Sequence, residues 1–148
     1  QGTFNANPIS AAAGLKTLEI VRDTDACARA DGTAQSLRCA MNEVLESEGI
    51  PWSVYGEYSV LHFFTNPAGE KLQAASFDAN HAPRDFFATD PRKDMLSKLR
   101  LGMLVNGVDL KGWRGAIVSA AHSADDVDHT VAAWRETLRL LKREGEIS

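Results

Sequence analysis

Residues 2–21 read GTFNANPISAAAGLKTLEIV, a lead with Gly2 and two asparagines that runs straight into a helical pattern. Asn7 followed by Pro8 marks the helix start. An Asn side-chain oxygen accepts from the first free N–H groups, and Pro at the first helical position has no N–H to leave unpaired. The alanines at 11–13 favour helix, so one is predicted from Pro8 to about Val21. Gly14 inside it costs about 1 kcal/mol relative to Ala, and close approach of a neighbouring backbone would explain its presence. The same helix start is the one place in the chain that stands out for chemistry. Unpaired N–H groups and the positive end of the helix dipole attract anions. Gly2 permits close backbone approach and Thr3 offers a hydroxyl donor, so a phosphate is the natural ligand.

Downstream, the apolar pattern predicts an α+β domain. A second helix is expected from about Thr24 to Glu48, because Cys27, Ala30, Ala34, Leu37, Met41 and Val44 recur at steps of three and four. Both cysteines, Cys27 and Cys39, are expected to lie buried on that helix as small hydrophobes. Gly49-Ile50-Pro51 stops it. Trp52 to Gly56 and Ser59 to Thr65 are rich in β-branched and aromatic residues and predict a hairpin. In its second strand Leu61 and Phe63 face one way, and Val60, His62 and Phe64 the other. Residues 66–90 are irregular, yet Phe77, Phe86 and Phe87 set them apart from a disordered linker. A helix is expected from Pro91 to about Leu101 with Met95, Leu96 and Leu99 inward. Met103-Leu104-Val105 and Ala116-Ile117-Val118 follow as short strands around an irregular stretch. The last helix starts at a Ser123-x-x-Asp126 cap and steps through Val127, Val131, Trp134, Leu138 and Leu141. Lys142 and Arg143 at its end complement the dipole. The four strand candidates are expected to form a small, mostly antiparallel sheet with helices on one face.

The 148 residues suffice for a single domain. The net charge of −4, from 16 basic and 20 acidic residues, lacks the basic excess of a nucleic-acid binder, so no nucleic-acid partner is expected. No apolar run reaches the length of a membrane span, and no membrane partner is expected. Two cysteines make no disulfide framework and match no zinc spacing; the four histidines include no HExxH pair, so no metal is expected. The sparse cysteines fit a reducing cytosol, hence a cytoplasmic location. Asp125, Asp126 and Asp128 resemble a metal cluster only until the helix start is noticed, where negative charge is favoured. Neither a nucleophile elbow nor a Walker loop occurs, and no residue is assigned a catalytic role.

At its opening the sequence is recognisable. GTFNANPISAAAGLKTLEIV resembles the segment with the G-T-x-x-x-N-P pattern in class III pyridoxal-phosphate aminotransferases, most of all the glutamate-1-semialdehyde aminomutase branch. Gly49-Ile50-Pro51, Gly102-Met103 at the start of a strand, and Ser119-Ala120-Ala121-His122-Ser123 with its following helix occur in the order seen in that family. The resemblance implies the C-terminal domain of fold type I aminotransferases, with pyridoxal 5'-phosphate as cofactor and a homodimeric assembly. It also implies that Gly2 and Thr3 are cofactor-binding, the Thr hydroxyl bonding the cofactor phosphate of the neighbouring subunit. The Schiff-base lysine, the Asp that pairs the pyridine nitrogen and the aromatic that stacks on the ring lie upstream of this motif in the family. Lys16 and Lys71 are therefore not assigned that role. The stretch Asn106-Gly107-Val108-Asp109-Leu110-Lys111-Gly112-Trp113 departs from the Pro-Ser-x-x-Glu-like stretch of the aminomutases. A general amino-donor transaminase is thus as compatible as an aminomutase, and Lys111 or Arg114 is a candidate for meeting a substrate carboxylate.

On this resemblance residues 1–22 carry the phosphate-contact motif and a helix of the large domain, and residues 23–148 form the small α+β domain. The chain opens inside the motif without a Met, so a missing N-terminal part of the same enzyme is expected as its partner, along with a second subunit and a small amino-acid substrate. Ile9, Leu15, Leu18 and Ile20 should then form an exposed apolar patch, and the chain alone should not turn over. The other hypothesis is a complete small module that binds an anion or a protein without catalysis.

Overall fold

The computed structural model describes residues 7–82, 90–110 and 115–148. Its elements are α1 (Pro8–Asp23), α2 (Ala26–Ser47), β1 (Ser53–Tyr55), β2 (Val60–Phe64), α3 (Lys93–Val105), β3 (Gly115–Ile117) and α4 (Ala124–Arg143). Among the described residues a 3-10 turn at Ala74–Ser76 interrupts the long segment between β2 and α3. The helix boundaries follow local chemistry. Asn7 caps α1, and Ser123 and Asp126 form a reciprocal capping box on α4. At the end of α2, Ile50 donates back to the Leu45 carbonyl and Gly49 to that of Glu46, with Gly49 in the left-handed region at φ 67°. Ile50 and Leu45, both buried, complete this C-terminal motif through their side chains.

The sheet has the order β1-β2-β3, and both pairings are antiparallel. Val54 lies opposite Phe63, and Leu61 opposite Ala116, which sets Val54, Leu61 and Phe63 on one face. That face carries the core. Leu37, Met41 and Val44 of α2 and Trp134, Leu138 and Leu141 of α4 join it in one cluster. Phe63 stacks on Trp134 at 5.1 Å between centroids, and Trp52 approaches the same indole at 6.4 Å. On the opposite face Phe64 is also buried, stacked on Phe77 at 4.9 Å. The irregular segment thus covers part of the sheet face that the helices leave open.

Three expectations are corrected. Met103-Leu104-Val105 is no strand but the last turn of α3, so the described sheet has three strands rather than four. A short apolar triplet cannot be assigned by periodicity alone. Here Met95, Leu99 and Met103, spaced by four and all buried, continue the helical stripe. Gly102 within it presses its Cα on α4, where an added Cβ would sit 2.6 Å from Thr137 Cγ2. Next, Cys27 and Cys39 are both exposed. Cys39 lies two residues beyond buried Leu37, about 200° around the helix, and Cys27 lies in the first turn, before the core begins at Ala30. Finally, among the described residues Gly14 meets no atom within 4 Å, so no close contact there accounts for it.

The expected exposed patch on α1 is present. None of its residues is buried, and Ile9 is 80% exposed, Leu18 67% and Leu15 62%, with Ile20 and Val21 also exposed.

Candidate functional site

The start of α1, singled out for anion binding, has its own donors in use. Asn7 Oδ1 accepts from the backbone N–H of Ile9 at 2.9 Å and of Ser10 at 3.3 Å, and Ala11 N donates to the Asn7 carbonyl at 3.0 Å. Pro8 has no N–H to offer. The expectation of unpaired N–H groups is therefore corrected: the cap satisfies the first turn. Gly2 and Thr3, the expected phosphate contacts, lie outside the described residues, as do Phe86, Phe87, Lys111, Trp113 and Arg114.

The described lysines are surface groups. Lys16 pairs with Glu19 at 3.1 Å, Lys98 pairs with Glu146, and Lys142 donates to the Glu48 carbonyl; Lys71 and Lys93 are exposed. The hydrogen bond from Lys98 to Glu146 raises the amine above its ordinary range, the opposite of what an imine-forming amine at neutral pH needs. Among the described residues, no group of three or more His, Cys, Asp or Glu could hold a metal ion. Asp125 and Asp126 sit in the first turn of α4, as expected from the helix dipole.

A broad groove of about 620 Å³ runs between α2, the β1–β2 hairpin and the segment after the 3-10 turn. Its walls are set by two α2 side chains that the apolar pattern did not single out. Asn42, 9% exposed, donates through Nδ2 to the Val54 carbonyl at 2.9 Å and accepts from Val54 N at 2.8 Å. The amide side chain stands in for a neighbouring strand along the free edge of β1. Arg38 Nη1 donates to the carbonyls of Tyr58 and Val60 at 2.9 and 3.0 Å and braces the hairpin turn. Gly56, at φ 144°, brings its Cα so close to Val60 that a Cβ would lie 2.3 Å from the Val60 oxygen. Tyr55, His62 and Phe77 line the groove, with Tyr55 5.3 Å from the His62 ring and 5.4 Å from Phe77.

A second unforeseen cluster joins the end of β2 to the start of α3. Asp90, 1% exposed, accepts from Thr65 Oγ1 at 2.5 Å and from Arg92 through its backbone N, Nε and Nη2 at 2.8, 3.0 and 2.8 Å. Arg92 Nη2 also donates to the Thr65 carbonyl at 2.7 Å. Burial pushes the Asp90 carboxyl up, but the bonds from Arg92 and Thr65 outweigh it and hold the pKa down at about 2. Next to it Asn66, at φ 46°, donates to the carbonyls of Pro51 and Glu70. The two ends of the irregular segment are thereby pinned to each other and to the strand before it. In the sequence Asp90-Pro91 carries only a turn signal, and the partner Thr65 lies 25 positions away, so no local pattern marks the cluster.

No protein-family model matches the chain. The fold is nonetheless found in solved structures. An omega-transaminase from Sphaerobacter thermophilus superposes with a TM-score of 0.72 at 22% identity, over 94% of this chain and 29% of that one. The FumI protein of Sphingopyxis, solved in a PLP form, superposes at 0.68 and 21% identity over 93% of this chain and 28% of that one. The fold, three antiparallel strands with four helices among the described residues, is thus the α+β fold of part of these proteins, as the sequence resemblance implied.

The relatives in sequence are more particular. The chain is 30% identical over 139 residues to the glutamate-1-semialdehyde 2,1-aminomutase of Methanosarcina acetivorans, covering 93% of this chain and 30% of the relative. It is 32% identical over 146 residues to the enzyme of that name from Paracidovorax citrulli, covering 95% and 30%. The chain thus spans about 30% of the length of the curated relatives it matches, and it corresponds to their C-terminal part.

Proposed function

We propose that this chain is the C-terminal part of a PLP-dependent aminotransferase or aminomutase that moves an amino group on a small amino or keto acid. One pairing of facts carries the proposal: 93% of the chain matches 30% of an aminomutase, and α1 at its start has no buried residue. A helix apolar around most of its circumference is one that packs on several sides. On this reading residues 1–22 belong to the large domain, α1 packs into the remainder of the enzyme, and residues 23–148 form the small domain that closes over the substrate.

The cofactor, when bound, supplies an electron sink for the substrate's α-carbon. The part taken by this chain is to hold and enclose. Thr3 would donate its hydroxyl to the cofactor phosphate of a second subunit, and Gly2 would let the backbone come close. Asn7 caps α1, with Pro8 at its first position. The clamp of Asp90, Thr65 and Arg92 and the brace of Asn42 on β1 keep the small domain rigid as it closes. The enzyme is proposed to work in the cytoplasm as a homodimer.

The test uses two proteins, the chain alone and the chain extended by upstream coding sequence to the length of its relatives. The extended protein should bind PLP and turn over an amino donor, and the chain alone should do neither. In the extended protein, Thr3→Ala should weaken PLP binding about tenfold, roughly 1.4 kcal/mol, read from the cofactor's absorbance. Transamination by the chain alone, or unchanged PLP affinity in Thr3→Ala, would overturn the assignment.

A further inference from the structure

We draw no further inference here: the strongest candidate, the exposed apolar stripe of Leu101, Leu104 and Val105 on the last turns of α3 beside the groove between α3 and α4, carries nothing because nothing in the structure shows what covers it.

Discussion

Replacing Asp90 by Asn tests the buried clamp between β2 and α3. In the native protein the carboxylate accepts from Thr65 Oγ1 and from three nitrogen donors of Arg92. An amide keeps the shape but turns one acceptor oxygen into a donor, so an N–H faces Thr65 or the guanidinium and the Arg92 charge loses its buried counterion. The size follows from the carboxyl itself, whose pKa falls from 3.8 to about 2 in the folded state. At about 1.36 kcal/mol for each unit, the charged form is worth roughly 2.5 kcal/mol more than the neutral one. Asp90→Asn should therefore cost about 2–3 kcal/mol. For a domain of this size that lowers Tm by about 5–10 °C. Urea unfolding followed by tryptophan emission reads it, since Trp52 and Trp134 are buried in the core.

The same shift fixes the pH dependence. A folded-state pKa below the unfolded value means that the stabilisation is complete above the unfolded pKa, near 3.8, and is lost as pH falls through the folded value of about 2. The wild-type protein should lose those roughly 2.5 kcal/mol between about pH 5 and pH 1, and the Asn variant should lack that part of the acid slope. Thr65→Val, which removes a single donor, should cost about 1–2 kcal/mol. A variant Asp90→Asn within about 0.5 kcal/mol of wild type, with an unchanged acid slope, would show that the clamp contributes nothing.

Other consequences are equally direct. Asn42→Ala should cost about 2 kcal/mol and leave the Val54 amide unpaired, so hydrogen exchange at Val54 should speed up far more than at Phe63 in the adjacent strand. Gly102→Ala places a methyl 2.6 Å from Thr137 Cγ2 and should cost about 1–3 kcal/mol. Adding Thr137→Ser removes that methyl, and a double-mutant cycle should show the loss largely restored; additive costs would mean that the two helices do not meet there. Leu15→Glu with Leu18→Glu on α1 should leave the Tm of the chain unchanged in thermal unfolding, because neither residue is buried. A fall in Tm would mean that α1 packs within its own monomer.

Elements that state themselves locally were legible in the residues alone. The caps at Asn7 and Ser123, the stop at Gly49-Ile50 and the hairpin at 52–65 each depend on groups a few positions apart, so spacing suffices to read them. The α+β class and the family resemblance rest on the order of such signals along the chain. The third segment shows the limit. Residues 103–105 suit a strand by composition, yet Met103 completes a helical stripe and Gly102 packs on Thr137. The position of α4 decides the matter, and no window around the triplet contains it. The cysteines fail in the same way, because the cover on α2 reaches neither its first turn nor the face of Cys39.

Composition and spacing by themselves settled where the chain turns, which helices it caps and which apolar stripes seek a core, because those preferences act over a few residues. Folding in three dimensions settled which stripes find one. It left α1 bare, and it placed Asp90 against Thr65 and Asn42 against Val54. The physical reason is that a buried polar group is stable only with its partner in place, and a partner 12 or 25 residues away is chosen by packing rather than by local order.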